Sequence, residues 1–152
     1  MKKNKYLLIL RSVPGGGKST YAKKLKQRFL CFCFAHGKGY FDGSICSADD
    51  YFLRPDKIYD WNKKLLPNAH NWCYLKIKDC MRFGNNLIIL DNTNIRKKDY
   101  QNYVDLAKEC GYTVKERIIG KIDISMAETY AKRNIHNVPL ETIKRMIERF
   151  EK

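Results

Sequence analysis

Acidic residues are scarce in this chain: its 152 residues hold 16 Asp and Glu against 30 Lys and Arg, a net charge of +14. So one-sided a balance points to polyanionic partners such as a nucleotide, a nucleic acid or an anionic surface. No apolar run approaches the length of a bilayer span, which excludes a transmembrane helix as a sequence expectation. Six cysteines are present, but they form no C-x-x-C pair and no zinc-knuckle spacing, so neither a dithiol redox site nor a zinc knuckle is expected. Repeats and low-complexity segments are absent, and no linker divides the chain. Residues 1–152 are therefore expected to form a single domain with one sizeable core. Met1-Lys2-Lys3 followed by apolar residues resembles a secretory leader. Its apolar run is only about five residues, short of the ~7–15 that a leader needs, so it reads as a first strand.

The basic excess is uneven. It is +7 over residues 1–50, +5 over residues 51–100 and +2 over residues 101–152. The most electropositive part is also the part that holds the strongest motif.

That motif is Ser12-Val13-Pro14-Gly15-Gly16-Gly17-Lys18-Ser19-Thr20, directly after the apolar run Tyr6-Leu7-Leu8-Ile9-Leu10. It matches the phosphate-binding P-loop, G-x-x-x-x-G-K-[ST], except that Ser12 stands in place of the first glycine. Glycines allow successive backbone N–H groups to curl around a polyphosphate. Pro14 to Thr20 would form the nucleotide cradle, with Lys18 reaching the β- and γ-phosphates and the Ser19 hydroxyl on Mg²⁺. A helix starting at Lys18 would point its positive end at the same anion. ATP and Mg²⁺ are the ligands this pattern calls for. Such chemistry belongs to a reducing compartment, so the cysteines are expected to be free thiols and the setting cytoplasmic. The lysines are too scattered for a nuclear signal, and the nucleus stays open.

The rest of the chain alternates strands and helices. Helix 18–29 carries Tyr21, Ala22, Leu25 and Phe29 at helical spacing. Ile45-Cys46-Ser47 reads as a strand ending in Ala48-Asp49-Asp50-Tyr51-Phe52, and residues 30–44 carry no clear period. Pro67 opens a helix with Ala69, Trp72, Cys73, Ile77, Cys80 and Met81 inward, and Gly84 stops it. Leu87-Ile88-Ile89-Leu90 is apolar throughout, as in a strand buried on both faces of a parallel sheet. It runs into Asp91-Asn92-Thr93-Asn94. A further helix carries Tyr100, Tyr103, Val104, Ala107 and Cys110, and the next strand runs from Tyr112 to Ile119. Ser125-Met126-Ala127-Glu128 reads as a capping box for a helix through Arg133. Val138-Pro139 starts a last helix with Leu140, Ile143, Ile147 and Phe150 inward. The fold class implied is α/β: a three-layer P-loop NTPase fold with a central parallel sheet and a helical lid segment.

Ligands of such sheets bind at the carboxyl ends of the strands. Those ends carry the P-loop, Asp49-Asp50 and Asp91-Asn92-Thr93-Asn94. Phosphoryl transfer needs positioning and charge neutralisation more than covalent chemistry. Asp49 is the candidate base for an attacking hydroxyl, with Asp50 as its neighbour or a cap. Asp91 is the candidate second Mg²⁺ group beside Ser19, and Asn92, Thr93 and Asn94 are candidates to hydrogen-bond the substrate or position the loop. Arg133, in Lys132-Arg133-Asn134-Ile135-His136-Asn137, is the candidate lid cation for the transferring phosphoryl group. Tyr51, Phe52, Tyr59 and Trp61 are candidate base-stacking groups.

The series P-G-G-G-K-S-T, S-A-D-D-Y-F, A-H-N-W, I-I-L-D-N-T-N, G-Y-T-V and R-N-I-H-N-V-P resembles, in order and spacing, the small P-loop kinases of the 5′-hydroxyl polynucleotide kinase type. The similarity is greatest to their stand-alone eukaryotic-style branch, which in turn resembles the kinase-like half of the myelin cyclic-nucleotide phosphodiesterase. The resemblance implies transfer of the ATP γ-phosphate to the 5′-hydroxyl of RNA or DNA. It assigns Lys18 and Ser19 to the P-loop, Asp49 to the base, Asp91 to the strand-three acid and Arg133 to the lid. The chain departs from the phage-type pattern at Phe52 and Asn137, where that pattern has arginines. A small-molecule kinase of the same fold and a nucleotide-dependent RNA-binding module are the alternatives. A nucleic-acid 5′ end is the partner expected, with no membrane and no obligate protein partner inferred.

Overall fold

The structure, a computed structural model, describes residues 4–35 and 43–152. The Met1–Lys3 lead-in and the middle of the unassigned stretch, from His36 to Asp42, lie outside them. Four strands and five helices alternate along the described chain: β1 (Tyr6–Arg11), α1 (Lys18–Ala35), β2 (Gly43–Cys46), α2 (Leu66–Arg82), β3 (Leu87–Leu90), α3 (Gln101–Glu109), β4 (Thr113–Ile118), α4 (Ala127–Arg133) and α5 (Leu140–Glu148). The strands form one parallel sheet in the order β2-β3-β1-β4. Ile9 and Cys46 both lie opposite Leu90, and Arg11 lies opposite Ile118, so the strands end at one edge.

Alternation along β1 divides the core between two faces. Leu7 and Ile9, with Ile88 and Leu90, pack against Ala69, Cys73 and Ile77 of α2 and Tyr103 and Ala107 of α3. Leu10, Leu87 and Ile89 pack against Ala22 of α1, with Tyr21, Leu25 and Phe29 alongside. The result is helix, sheet, helix, the three layers expected. A third cluster joins Val13 and Ile95, just beyond β1 and β3, to Ala127 and Tyr130 of α4 and Ile143 and Ile147 of α5. The last two helices are thereby fixed over the edge where the strands end.

Several local readings need correction. Helix α1 runs on to Ala35 rather than stopping near Phe29. Ser125 does not cap a helix. The Asp123 side chain instead accepts the Ser125 N–H at 2.9 Å and starts a short 3-10 turn, Ile124–Met126, ahead of α4. An Asp three residues before Met126 competes for the orphan amides that the Ser was expected to satisfy. Cys110 is exposed, because α3 ends at Glu109 and Gly111 then turns the chain with φ 73°. Phe52, expected as a stacking group, is buried in the core against Tyr59 and Tyr51. The six cysteines are free thiols, and no helix among the described residues is long and apolar enough to cross a membrane.

Candidate functional site

A cavity of about 480 Å³ opens at the carboxyl edge of the sheet. All of Pro14, Gly15, Gly16, Gly17, Lys18, Ser19 and Thr20 line it, together with Asp49, Asp91 and Arg133. The sequence candidates from four separate segments therefore share one site.

The loop before α1 has the backbone a phosphate cradle needs. Gly15 and Gly17 hold φ of 81° and 94°, in the region that favours glycine. Gly15 is also held sterically, since a Cβ there would stand 2.2 Å from the Tyr130 carbonyl oxygen. Ser12 does not share that need: its φ is not positive, so a side chain fits where the pattern has glycine. Its amide donates to the Thr93 carbonyl at 3.0 Å, and its buried hydroxyl is unpartnered and faces Gly16. Helix α1 begins at Lys18 and has no acid in its first turn, so nothing on the helix neutralises its positive end. Tyr130 of α4 braces the loop from outside. Its hydroxyl donates to the Lys121 carbonyl and accepts the Lys121 N–H, both at 2.9 Å, beside Gly16 and Gly120.

Burial pushes the Lys18 ammonium below its ordinary pKa, while the charges of Asp91 and Asp49 pull it back up. Burial likewise raises the Asp91 carboxyl, opposed by a hydrogen bond from Ser19 and the charge of Lys18. One Asp91 oxygen is buried without a hydrogen-bond partner. A buried carboxylate with a spare oxygen beside the P-loop hydroxyl fits Mg²⁺, which takes one or two protein oxygens and fills its shell with phosphates and water. Among the described residues no group of three or more His, Cys, Asp or Glu could hold a metal by itself.

The two acids after β2 face different ways. Asp50 turns outward and pairs with Lys76 at 3.1 Å. Asp49 faces the cavity, where the Tyr59 hydroxyl donates to Oδ1 at 3.2 Å and His136 Nε2 lies 3.7 Å from Oδ2. The Tyr59 and His136 rings stand 4.4 Å apart, centroid to centroid. Burial and the neighbouring Asp49 push the Tyr59 hydroxyl well above the usual tyrosine range. Ser47 Oγ accepts the Asp49 amide at 3.2 Å, and Asn92 Oδ1 accepts the Ala48 amide at 2.8 Å. Asn92 thus ties the end of β3 to the turn that presents Asp49.

Arg133 ends α4, lines the cavity and has no carboxylate partner among the described residues. The lid loop after it is closed by Asn134, which accepts the Val138 amide at 2.7 Å and donates to the Ala131 carbonyl at 2.7 Å. His136 belongs to this loop, and a lone histidine among basic and polar residues carries no signal of its own in a sequence.

Arg11 went unnoticed because it reads as the polar end of a strand. It is buried beneath the loops. It donates to the carbonyls of Asn94 at 3.1 Å, of Ile95 at 3.2 Å and of Glu151, and lies over the rings of Phe150 and Tyr100. Asn94, at φ 50°, returns a hydrogen bond to the Leu10 carbonyl at 2.7 Å. A buried guanidinium with carbonyl partners is a structural lock. Here it joins the ends of β1 and β3 to the chain beyond α5.

A four-strand parallel sheet with flanking helices, a P-loop and a helical segment over the strand ends define a kinase-like P-loop domain. A family model described as AAA domain matches residues 7–152, and the chain belongs to that family. Among curated proteins, NEDD4-binding protein 2 of Homo sapiens is 32% identical over 96% of this chain and 8% of its own length. The 2',3'-cyclic-nucleotide 3'-phosphodiesterase of Mus musculus is 28% identical over 72% of this chain and 23% of its own. The chain therefore spans less than a quarter of either relative. Among solved structures, the Pnkp1/Rnl/Hen1 RNA repair complex gives a TM-score of 0.67 at 15% identity, over 98% of this chain and 45% of the matched one. Chaetomium thermophilum Kti12 in complex with ADP-AlF3 gives 0.64 at 15%, over 96% and 80%. The Mycobacterium tuberculosis APS kinase CysC gives 0.56 at 12%, over 78% and 77%. These likenesses establish the fold; their names span nucleic-acid and small-molecule chemistry.

Proposed function

We propose that this chain transfers the γ-phosphate of ATP, with Mg²⁺, to the 5′-hydroxyl of a polynucleotide. The observation that supports the reading is one cavity lined by Asp49 together with Lys18, Ser19 and Asp91, with the Asp49 and Asp91 charges felt at Lys18. It offers donor phosphates on one side and a base for an acceptor hydroxyl on the other. The net charge of +14 favours a polymeric phosphate acceptor over a metabolite.

The P-loop amides and Lys18 would hold the β- and γ-phosphates, while Ser19 and Asp91 would hold the ion. A Mg²⁺ held there would supply neutralisation of the charge on the donor phosphates. Asp49 takes the acceptor proton as the hydroxyl oxygen bonds to the γ-phosphorus and the bond to the β-phosphate oxygen breaks, leaving ADP. Tyr59 and His136 hold the Asp49 carboxylate in place for that step. Arg133 supplies positive charge to the transferring group; such a group is worth about 3 kcal/mol in the transition state.

The test is incubation with γ-labelled ATP, Mg²⁺ and a 5′-hydroxyl oligonucleotide, as RNA and as DNA, with Lys18→Ala as control. Label on the 5′ end of one polymer, abolished in a control that melts like the parent, is the expected result. ATP binding with no label on either polymer would overturn the reading.

A further inference from the structure

The segment between the Asp49 turn and α2 lies outside the P-loop, yet it has a defined fold. Leu53 and Tyr59 form an antiparallel bridge. The Arg54 amide donates to the Ile58 carbonyl and the Asp60 amide to the Phe52 carbonyl, both at 2.9 Å, and Lys57 turns the tip with φ 64°. Asn62 caps a 3-10 turn, Lys63–Leu65, that leads into Leu66 on the cavity wall. One side of this strap is committed inward: Phe52 is in the core and Tyr59 holds Asp49.

The remainder is left open. Leu53, Ile58 and Trp61 are 52%, 56% and 52% exposed. Single exposed apolar groups need no explanation, but three within nine residues make a patch. Trp61 has no ring or hydrogen-bond partner among the described residues, and Lys57, Lys63 and Lys64 have no carboxylate partner there. Aromatic surface interleaved with unpaired cations is the chemistry that binds unpaired nucleobases and their phosphates. The strap is also continuous with the cavity through Tyr59 and Leu66.

We infer that this strap docks the single-stranded 5′ region of a polynucleotide whose terminal hydroxyl lies at Asp49. Trp61 stacks on a base, while Lys57, Lys63 and Lys64 meet the phosphates. Trp61 lies outside the cavity that holds Asp49, so the base it meets is set back from the terminus; within a duplex such a base has both faces covered, and unpaired ends are preferred. The inference rests on the polynucleotide reading above and adds the strand state and the path of the acceptor.

The experiment uses Trp72→Phe, which leaves Trp61 as the sole tryptophan. A 5′-hydroxyl single strand and the blunt duplex of the same sequence are titrated in, and phosphorylation of each is measured in parallel. The single strand is expected to quench Trp61 fluorescence and the duplex is not. Lys63→Glu with Lys64→Glu should weaken binding at least tenfold and flatten the slope of log K against log salt by about 1.4, the value for two phosphate contacts on a single strand. Lys23→Glu with Lys24→Glu on α1 carries the same charge change and should do neither. Phosphorylation of the strand without quenching, or equal loss in both charge variants, overturns the strap and leaves the polynucleotide reading standing. Equal quenching by the duplex overturns the strand preference. Neither binding nor phosphorylation of any oligonucleotide overturns the parent reading and the strap with it.

Discussion

At the scale of the residue, two adjacent carboxylates have different neighbours. Asp49 faces the cavity with Tyr59 and His136, and Asp50 faces Lys76. Asp49→Asn should lower turnover on the 5′-hydroxyl acceptor by about 10²–10⁴-fold, the usual range for loss of a positioned base. ATP affinity measured by calorimetry should hardly change. Asp50→Asn should stay near wild type; a steep loss there instead would move the base to Asp50. Asp91 sets stability against function. The folded carboxyl holds its proton more tightly than the unfolded one. Its ionisation therefore costs the nucleotide-free fold stability as pH rises from the ordinary carboxylate range through the raised value. Asp91→Asn removes that cost, so Tm at neutral pH without nucleotide should rise while phosphotransfer falls. A lower Tm would show that the charge serves the fold through Lys18.

Among the elements, the contact between the P-loop and α4 decides whether the cradle keeps its shape. Gly15 combines a positive φ with a carbonyl where its Cβ would be. Gly15→Ala should destabilise the protein by about 2–4 kcal/mol, since left-handed strain and backbone overlap add. Thermal denaturation measures it, and a loss under 1 kcal/mol would mean that α4 moves aside freely. Tyr130 is the matching part on the other element, its hydroxyl held at both faces by the Lys121 backbone. The lid loop beyond α4 is braced by Asn134, so Arg133 and His136 move with a shaped turn rather than a loose tail.

Over the whole molecule, the basic excess matters through range and screening. Contacts with a polymer release many counterions, whereas a nucleotide held beside the buried Lys18 would be screened less. The Michaelis constant for the oligonucleotide should therefore climb steeply between 50 and about 200 mM salt, while that for ATP changes little. Steady-state kinetics at fixed Mg²⁺ would show this. Parallel, shallow curves for both substrates would favour the small-molecule alternative.

The sequence by itself determined the alternation of strands and helices, the parallel sheet and the position of the P-loop. These follow from local rules: β-rich apolar runs, helical periods and glycines where the backbone must turn left-handed. β3 is legible as Leu87–Leu90 because a strand covered on both faces is apolar at every position. Asp49 and Asp91 were legible as candidates because each follows a strand that ends at the same edge, and Arg133 because it lies in a short basic segment between two helices. What only the tertiary structure decided is which groups meet. Tyr59 and His136 are 77 residues apart in number yet share one carboxylate. Arg11 finds its partners among carbonyls from Asn94 to Glu151. Backbone carbonyls carry no mark in a sequence, and a side chain's partner depends on how helices pack rather than on spacing along the chain. The same reason sorted the four aromatics near the site, sending Phe52 to the core and Tyr59 to the carboxylate and leaving Trp61 in the open.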